Sequence, residues 1–229
     1  MTPAQNTENV ESALGAVRLR IQQACERAQR SPDSVQLLAV SKYQPLAAMR
    51  AAYALGQRAF GENYVQELAR KAAALGDLPD LRWHLIGRLQ RNKVKDVVAI
   101  GCAVQTLDSL RVAETLAARA LDAGRVIEVF LQVNVANEPQ KAGVAPAELA
   151  QLTARVRGLP ALALQGLMAI PRNRATPDET RASFRQLREL GQTLGLPQLS
   201  MGMSHDLELA IEEGATIVRV GTAIFGPRP

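Results

Sequence analysis

Short apolar runs alternate with helix-length segments eight times along the 229 residues. An alternation of that kind restricts a chain to a parallel sheet covered by helices, because parallel strands need long crossover connections. Runs of strand length fall at 37–40, 59–61, 83–86, 103–106, 126–135, 164–170, 198–200 and 217–220, and the 126–135 run is the richest in β-branched residues. The helices expected after them are an alanine-rich one from Pro45 to a stop at Gly56, then 64–75, one from about Asn92, 109–123, 146–157, 178–194 and 205–213, with Gly214 as the last C-cap. Ahead of the first strand, Val10, Leu14, Val17, Ile21 and Cys25 recur at spacings of four, three, four and four, which predicts one more amphipathic helix, interrupted at Ser31-Pro32-Asp33. The expectation is an α/β chain forming a single (β/α)8 TIM barrel over residues 1–229 with an extra N-terminal helix. A doubly wound open sheet is the alternative. No linker or low-complexity segment divides the chain, and it ends soon after the eighth strand, so no second domain is expected.

Hydrophobic residues make up 47% and aromatic residues 3%, so the core must be built from Ala, Leu and Val, as in sheets covered on both faces. Cys25 and Cys102 are far apart and have no metal-type spacing, and the only histidines are His84 and His205, so neither a disulfide framework nor a metal site is expected. The N-terminal stretch is polar and acidic, and no apolar run approaches the ~18 residues of a membrane span. The expected location is the cytoplasm, with no membrane partner. Net charge is +5 and the pI near 9.6, but the arginines are dispersed, so nucleic acid is not an expected partner. The densest basic cluster, Arg88, Arg91, Lys93 and Lys95, reads as a loop and helix start facing water.

In a barrel of this kind chemistry sits at the C-terminal ends of the strands. Of the 27 basic residues 22 are arginines, and among the five lysines only Lys42 closes an apolar strand run. A lysine, unlike an arginine, can lose its proton when desolvated and form a Schiff base; the competing reading is a side chain that snorkels into solvent. After strand seven comes Ser200-Met-Gly-Met-Ser204-His-Asp206, and after strand eight Arg219-Val-Gly-Thr-Ala-Ile-Phe-Gly226. Both loops combine glycine with hydroxyl residues where such barrels hold phosphate, and closure brings strand eight beside strand one and Lys42. An amine beside a phosphate cradle suits an aldehyde-bearing phosphate: a sugar phosphate, as in an aldolase, or pyridoxal 5′-phosphate (PLP). Arg219 is placed to meet a pyridine nitrogen or to make a surface salt bridge. Asn63 either caps a helix or faces the cavity, and His84 either packs on a flat ring or is a core residue.

Beyond these local readings, the chain resembles the pyridoxal phosphate homeostasis protein family, the YggS/PROSC group, whose fold is similar to the N-terminal barrel of bacterial alanine racemase. The resemblance rests on Leu38-Ala-Val-Ser-Lys42, Phe60-Gly-Glu-Asn-Tyr-Val-Gln-Glu67, Trp83-His-Leu-Ile-Gly87, Leu89-Gln90 with Asn92-Lys93, Gly166-Leu-Met-Ala-Ile170, Leu199-Ser-Met-Gly-Met-Ser204 and Val218-Arg-Val-Gly-Thr-Ala-Ile-Phe-Gly226, in order along nearly the whole chain. It implies a Schiff base between PLP and Lys42, with Ser200, Ser204, Gly221 and Thr222 around the phosphate. It further implies Arg219 at the pyridine nitrogen and Asn63, His84 and Met168 along the ring. Lys141, in the 137–143 stretch, is implied as a second lysine near the site. The implied role is intracellular PLP homeostasis by carrying, delivering or buffering cofactor, with apo-PLP enzymes as recipients, by a monomer. The alternative is a small amino acid racemase or other PLP-dependent enzyme; any catalysis is expected to be weak and racemase-like. The chain departs from the family pattern at Arg88, where proline is usual, at Tyr43-Gln44 and at His205.

Overall fold

The structure, a computed structural model, describes residues 3–136, 138 and 141–226. The strands β1 (Gln36–Val40), β2 (Ala59–Glu62), β3 (Arg82–Leu85), β4 (Ala103–Leu107), β5 (Ile127–Val133), β6 (Leu162–Ala169), β7 (Gln198–Ser200) and β8 (Ile217–Val220) close into a parallel barrel in chain order. Closure is made by β1 against β8, with Leu38 opposite Arg219 and Ala39 opposite Val220. Helices α2 (Leu46–Ala54), α3 (Val65–Ala74), α4 (Val94–Ile100), α5 (Leu110–Asp122), α6 (Pro146–Arg157), α7 (Pro177–Leu194) and α8 (Leu207–Glu212) are the crossovers, and the short α9 (Thr222–Phe225) follows β8.

The extra helix, α1 (Pro3–Arg27), buries Val10, Leu14, Val17, Ile21, Ala24 and Cys25 and packs on α2, α8 and α9, the helices that flank the β1–β8 seam. Each of the Val, Leu and Ile side chains among them contributes about 1.5–3 kcal/mol when fully buried. The alternation of core and solvent positions is what makes the crossovers helical: on α7 Thr180, Phe184, Leu187 and Gly191 are buried at steps of four, three and four, and Thr176 and Glu179 form a reciprocal cap at its start.

Element ends differ from expectation where side chains or backbone leave the ladder. β5 stops at Val133 rather than continuing to 135, because the Asn134 backbone N–H donates to the Val144 carbonyl and its side-chain amide to the Glu138 carbonyl. β6 begins at Leu162, two residues before the apolar run at 164, since Leu162 and Ala163 pair with Ile127 and Glu128. α8 begins at Leu207 rather than 205, because the Asp206 carboxylate is used by the Met203 backbone N–H.

Two cores result. The larger lies between sheet and helices; the smaller, Leu38, Ala59, Phe130, Met168 and Ile217 with Ile86 packed on it, fills the barrel. His84, Gln105, Ser200 and Arg219 share that interior as a hydrogen-bonded polar group.

Candidate functional site

Lys42 stands two residues past the end of β1, in a turn closed by the Gln44 N–H donating to the Ser41 carbonyl at 3.0 Å. Tyr43, the third residue of that turn, has φ of +64°, a left-handed conformation that costs a non-glycine residue on the order of 1–3 kcal/mol. The turn is held by groups beneath it. The Tyr43 N–H donates to Glu67 Oε1 at 2.7 Å, the Ser41 hydroxyl donates to Glu62 Oε1 at 2.7 Å, and the wholly buried Lys71 donates to the Ser41 carbonyl at 2.5 Å. Burial pushes the Glu62 carboxyl above its usual range, against the lowering pull of its bonds from Lys71 and Ser41.

Around Lys42 a cavity of about 280 Å³ opens at the C-terminal ends of the strands, walled by Val40, Ile86, Ile170 and Met203, with Asn63, Ser204, His205, Arg219, Gly221 and Thr222 supplying polar groups. The β1–β8 register brings Gly221 against the Lys42 turn so closely that a Cβ there would lie 3.1 Å from the Val40 carbonyl oxygen. Gly202, with φ of +91°, lets the loop after β7 pass over α8; a Cβ there would lie 2.5 Å from that of Ala210. The loop is tied to α1 by Arg20, which forks onto Glu208 at 2.6 and 2.9 Å and donates to the Ser204 carbonyl at 3.0 Å. At the exposed rim, the Tyr43 and Tyr64 hydroxyls lie 3.1 Å apart.

Arg219 is the buried charge of the cavity. Its guanidinium donates to the Ser200 hydroxyl at 2.8 Å and to the Ala169 carbonyl at 2.9 Å; burial lowers it to about 10, partly offset by the Asp206 carboxylate, so it stays charged at neutral pH. The Ser200 hydroxyl donates on to Gln105 Oε1 at 2.7 Å, and because β4 and β7 are not neighbours this bond crosses the barrel. With its oxygen so used, the Gln105 amide nitrogen faces His84 Nδ1 at 3.1 Å, which assigns the ring proton to Nε2. Burial lowers His84 to about 4, so it is neutral at pH 7.

Of the residues singled out in the sequence, Lys42, Asn63, Ser204, Arg219, Gly221 and Thr222 line one cavity. Asn63 is not the N-cap of α3, a position taken by Tyr64. His84, Met168 and Ser200 are not among the lining residues. Met168 belongs to the barrel-filling cluster, Ser200 turns its hydroxyl inward, and His84 borders a separate cavity of about 850 Å³ at the opposite, N-terminal end of the barrel. Lys141 donates to the Pro171 carbonyl and pairs with Glu138, both at 3.2 Å, next to the cavity wall at Ile170; Asn137, Pro139 and Gln140 of the same stretch lie outside the described residues. Arg88, Arg91 and Lys95 are exposed.

Sequence reasoning missed Glu62, Glu67, Lys71, Gln105 and Arg20. Only Gln105 carried a signal, an amide side chain within a strand run, Ala103-Val-Gln-Thr-Leu107. Among the described residues no group of three or more His, Cys, Asp or Glu side chains is placed to hold a metal, and no helix is long and apolar enough to cross a membrane.

Residues 13–229 match the family described as alanine racemase, N-terminal domain. The chain is 48% identical over 217 residues to a Pseudomonas aeruginosa protein described as pyridoxal phosphate homeostasis protein, with 94% of each chain covered. It is 46% identical over 226 residues to an Aquifex aeolicus protein of the same description, covering 96% of this chain and 99% of that one. PipY of Synechococcus elongatus, solved with PLP bound, superposes with a TM-score of 0.80 at 44% identity, covering 90% of this chain and 100% of that one.

Proposed function

Since this chain belongs to the pyridoxal phosphate homeostasis protein family, on the alanine racemase N-terminal-domain fold, we propose that it holds PLP as a Schiff base on Lys42 and serves to carry, buffer or deliver that cofactor inside the cell. The observation that carries this reading is the convergence of Lys42, Arg219, Ser204 and Thr222 on one cavity. The residues fit the group. The volume of about 280 Å³ lies near the lower end of small-molecule sites at ~300 Å³, and the apolar walls Val40, Ile86 and Ile170 suit a flat ring. The absence of a side chain at Gly221 lets the loop after β8 pack directly on Val40, two residues before Lys42, and so brings Thr222 and the amine to one cavity.

When bound, PLP supplies an aldehyde that condenses with a primary amine, forming a C=N bond and releasing one water. Lys42 contributes that amine after its ammonium gives up a proton. Ser204 and Thr222 donate hydroxyl hydrogen bonds to phosphate oxygens, and Asn63 and Ile86 border the ring. Arg219, charged and fixed by Ser200 and the Ala169 carbonyl, faces the ring nitrogen and keeps it unprotonated, which makes the ring a poor electron sink and disfavours strong carbanion chemistry. Both cysteines are buried free thiols, Cys102 pushed by burial up to about 12, which suits a reducing cytoplasm. A monomer delivering to apo-PLP enzymes completes the reading.

One observation favours a racemase-type alternative: His205 lines the cavity as a second titratable group. The two readings separate in one set of measurements. Borohydride reduction of the PLP-loaded protein followed by peptide mapping is expected to place a pyridoxyl group on Lys42, and label absent from Lys42 sinks both. Loaded protein is then expected to activate an apo-enzyme faster than PLP released into buffer while turning over no amino acid at ordinary enzymatic rates; robust turnover lost in Lys42→Ala selects the racemase.

A further inference from the structure

The Lys71 ammonium lies wholly inside the protein, and each of its three N–H groups has an acceptor: the Ser41 carbonyl at 2.5 Å, Glu62 Oε1 at 2.8 Å and Glu67 Oε1 at 2.8 Å. The same two carboxylate oxygens take the Ser41 hydroxyl and the Tyr43 N–H, both at 2.7 Å. Three of these contacts, those to the Ser41 carbonyl, the Ser41 hydroxyl and the Tyr43 N–H, fall on the two residues adjacent to Lys42. The peptide group before the lysine is held through the Ser41 carbonyl and the one after it through the Tyr43 N–H. Buried ion pairs contribute little net stability against well-packed apolar side chains, because desolvation offsets their attraction. What such a cluster does supply is direction: hydrogen bonds with fixed geometry hold Tyr43 in a left-handed conformation that its side chain would otherwise leave.

We infer that Lys71, with Glu62 and Glu67, is a positioning group that clamps the backbone on both sides of Lys42, so that the affinity contributed by the lysine–aldehyde bond depends on residues that touch neither ring nor phosphate. The inference rests on the PLP reading above. β2 carries Glu62 and α3 carries Glu67 and Lys71, so the second βα unit sets the aim of an amine borne by the first. A purely structural cluster would support the whole mouth of the barrel and affect every ligand contact alike; a positioning cluster affects only the contact made through Lys42.

Two probes separate these cases. PLP and 4-deoxypyridoxine 5′-phosphate share ring and phosphate, but the second carries a methyl group in place of the aldehyde and cannot react with an amine. The ratio of their dissociation constants isolates what the Lys42 bond adds. In Lys71→Met that ratio is expected to shrink by about tenfold or more, the scale of one lost hydrogen bond to a charged group, while the analogue binds within about twofold of the wild type. Glu67→Ala, which releases the Tyr43 N–H yet leaves the Lys71–Glu62 pair intact, decides the matter if Lys71→Met does not fold, and Glu67→Gln, which keeps an acceptor oxygen, is expected to recover most of the ratio. Parallel weakening of both ligands, or an unchanged ratio, overturns the positioning role. A wild-type ratio near one overturns the PLP reading itself, and the inference with it.

Discussion

Arg219 donates to the Ser200 hydroxyl at 2.8 Å, and Ser200 passes its own proton toward Gln105, so the serine closing β7 faces the barrel interior. Ser200→Ala therefore removes the partner of two buried polar groups without opening the mouth. It is expected to destabilise the fold by about 1–3 kcal/mol in urea unfolding while leaving inorganic phosphate as good a competitor of PLP as before. Ser204→Ala is expected to do the reverse. Weakened phosphate competition in Ser200→Ala at unchanged stability would put that hydroxyl at the phosphate instead.

Stability is expected to fall with acidity through His84. Its folded pKa is about 4 against an ordinary 6.5, so as pH drops the unfolded chain takes the proton first. The neutral ring's contribution is whole above pH 6.5 and is lost progressively between pH 6.5 and about 4, amounting to about 3 kcal/mol from 2.5 pKa units at 1.36 kcal/mol each. Unfolding free energies measured across that window for the protein and for His84→Gln should diverge in slope, the variant being flatter. Superimposable profiles would mean that His84 is not held neutral.

Gly221 and Gly202 should respond differently to alanine. Gly202→Ala places a Cβ 2.5 Å from that of Ala210 at a φ of +91°, so it should lower stability by about 2 kcal/mol or more. Gly221 has no positive φ, and its added Cβ would press on the Val40 carbonyl at 3.1 Å, just before the Lys42 turn. Gly221→Ala should therefore unfold near the wild-type temperature yet bind PLP more weakly. Equal thermal shifts in the two variants would refute the distinction.

The barrel was legible because hydrophobic periodicity reports burial, and burial is what sheet and helices share; Leu38 and Ile217 read as strand whether they fill the barrel or face the helices. Position at the mouth was legible for the same reason, since strand ends locate Lys42 and the loops that carry Ser204 and Gly221. Side-chain direction was not. Ser200 and Ser204 look alike in sequence, yet one lies in the β7 ladder and turns inward while the other lies beyond it on the cavity wall. Glu67 and Lys71 have the spacing of an ordinary solvated helix pair, and only the tertiary approach of the turn after β1 to α3 turns Lys71 into a buried ligand of the Ser41 carbonyl.

The N-terminal helix should matter to ligand binding through Arg20. That side chain forks onto Glu208 on α8 and donates to the Ser204 carbonyl, so it ties the residue that carries the Ser204 hydroxyl to the first turn of α8. The pair is about one-third exposed, so its direct worth is small, about 1 kcal/mol or less. Its positional effect should be larger: Arg20→Ala is expected to weaken inorganic phosphate competition and PLP binding together, by about threefold to tenfold, since the loop rather than the lysine is released. Arg20→Lys should recover little, because an ammonium keeps the charge but loses the planar fork that reaches Glu208 and Ser204 at once. Full binding in Arg20→Ala, alongside a measurable drop in unfolding temperature, would confine Arg20 to holding α1 on the barrel.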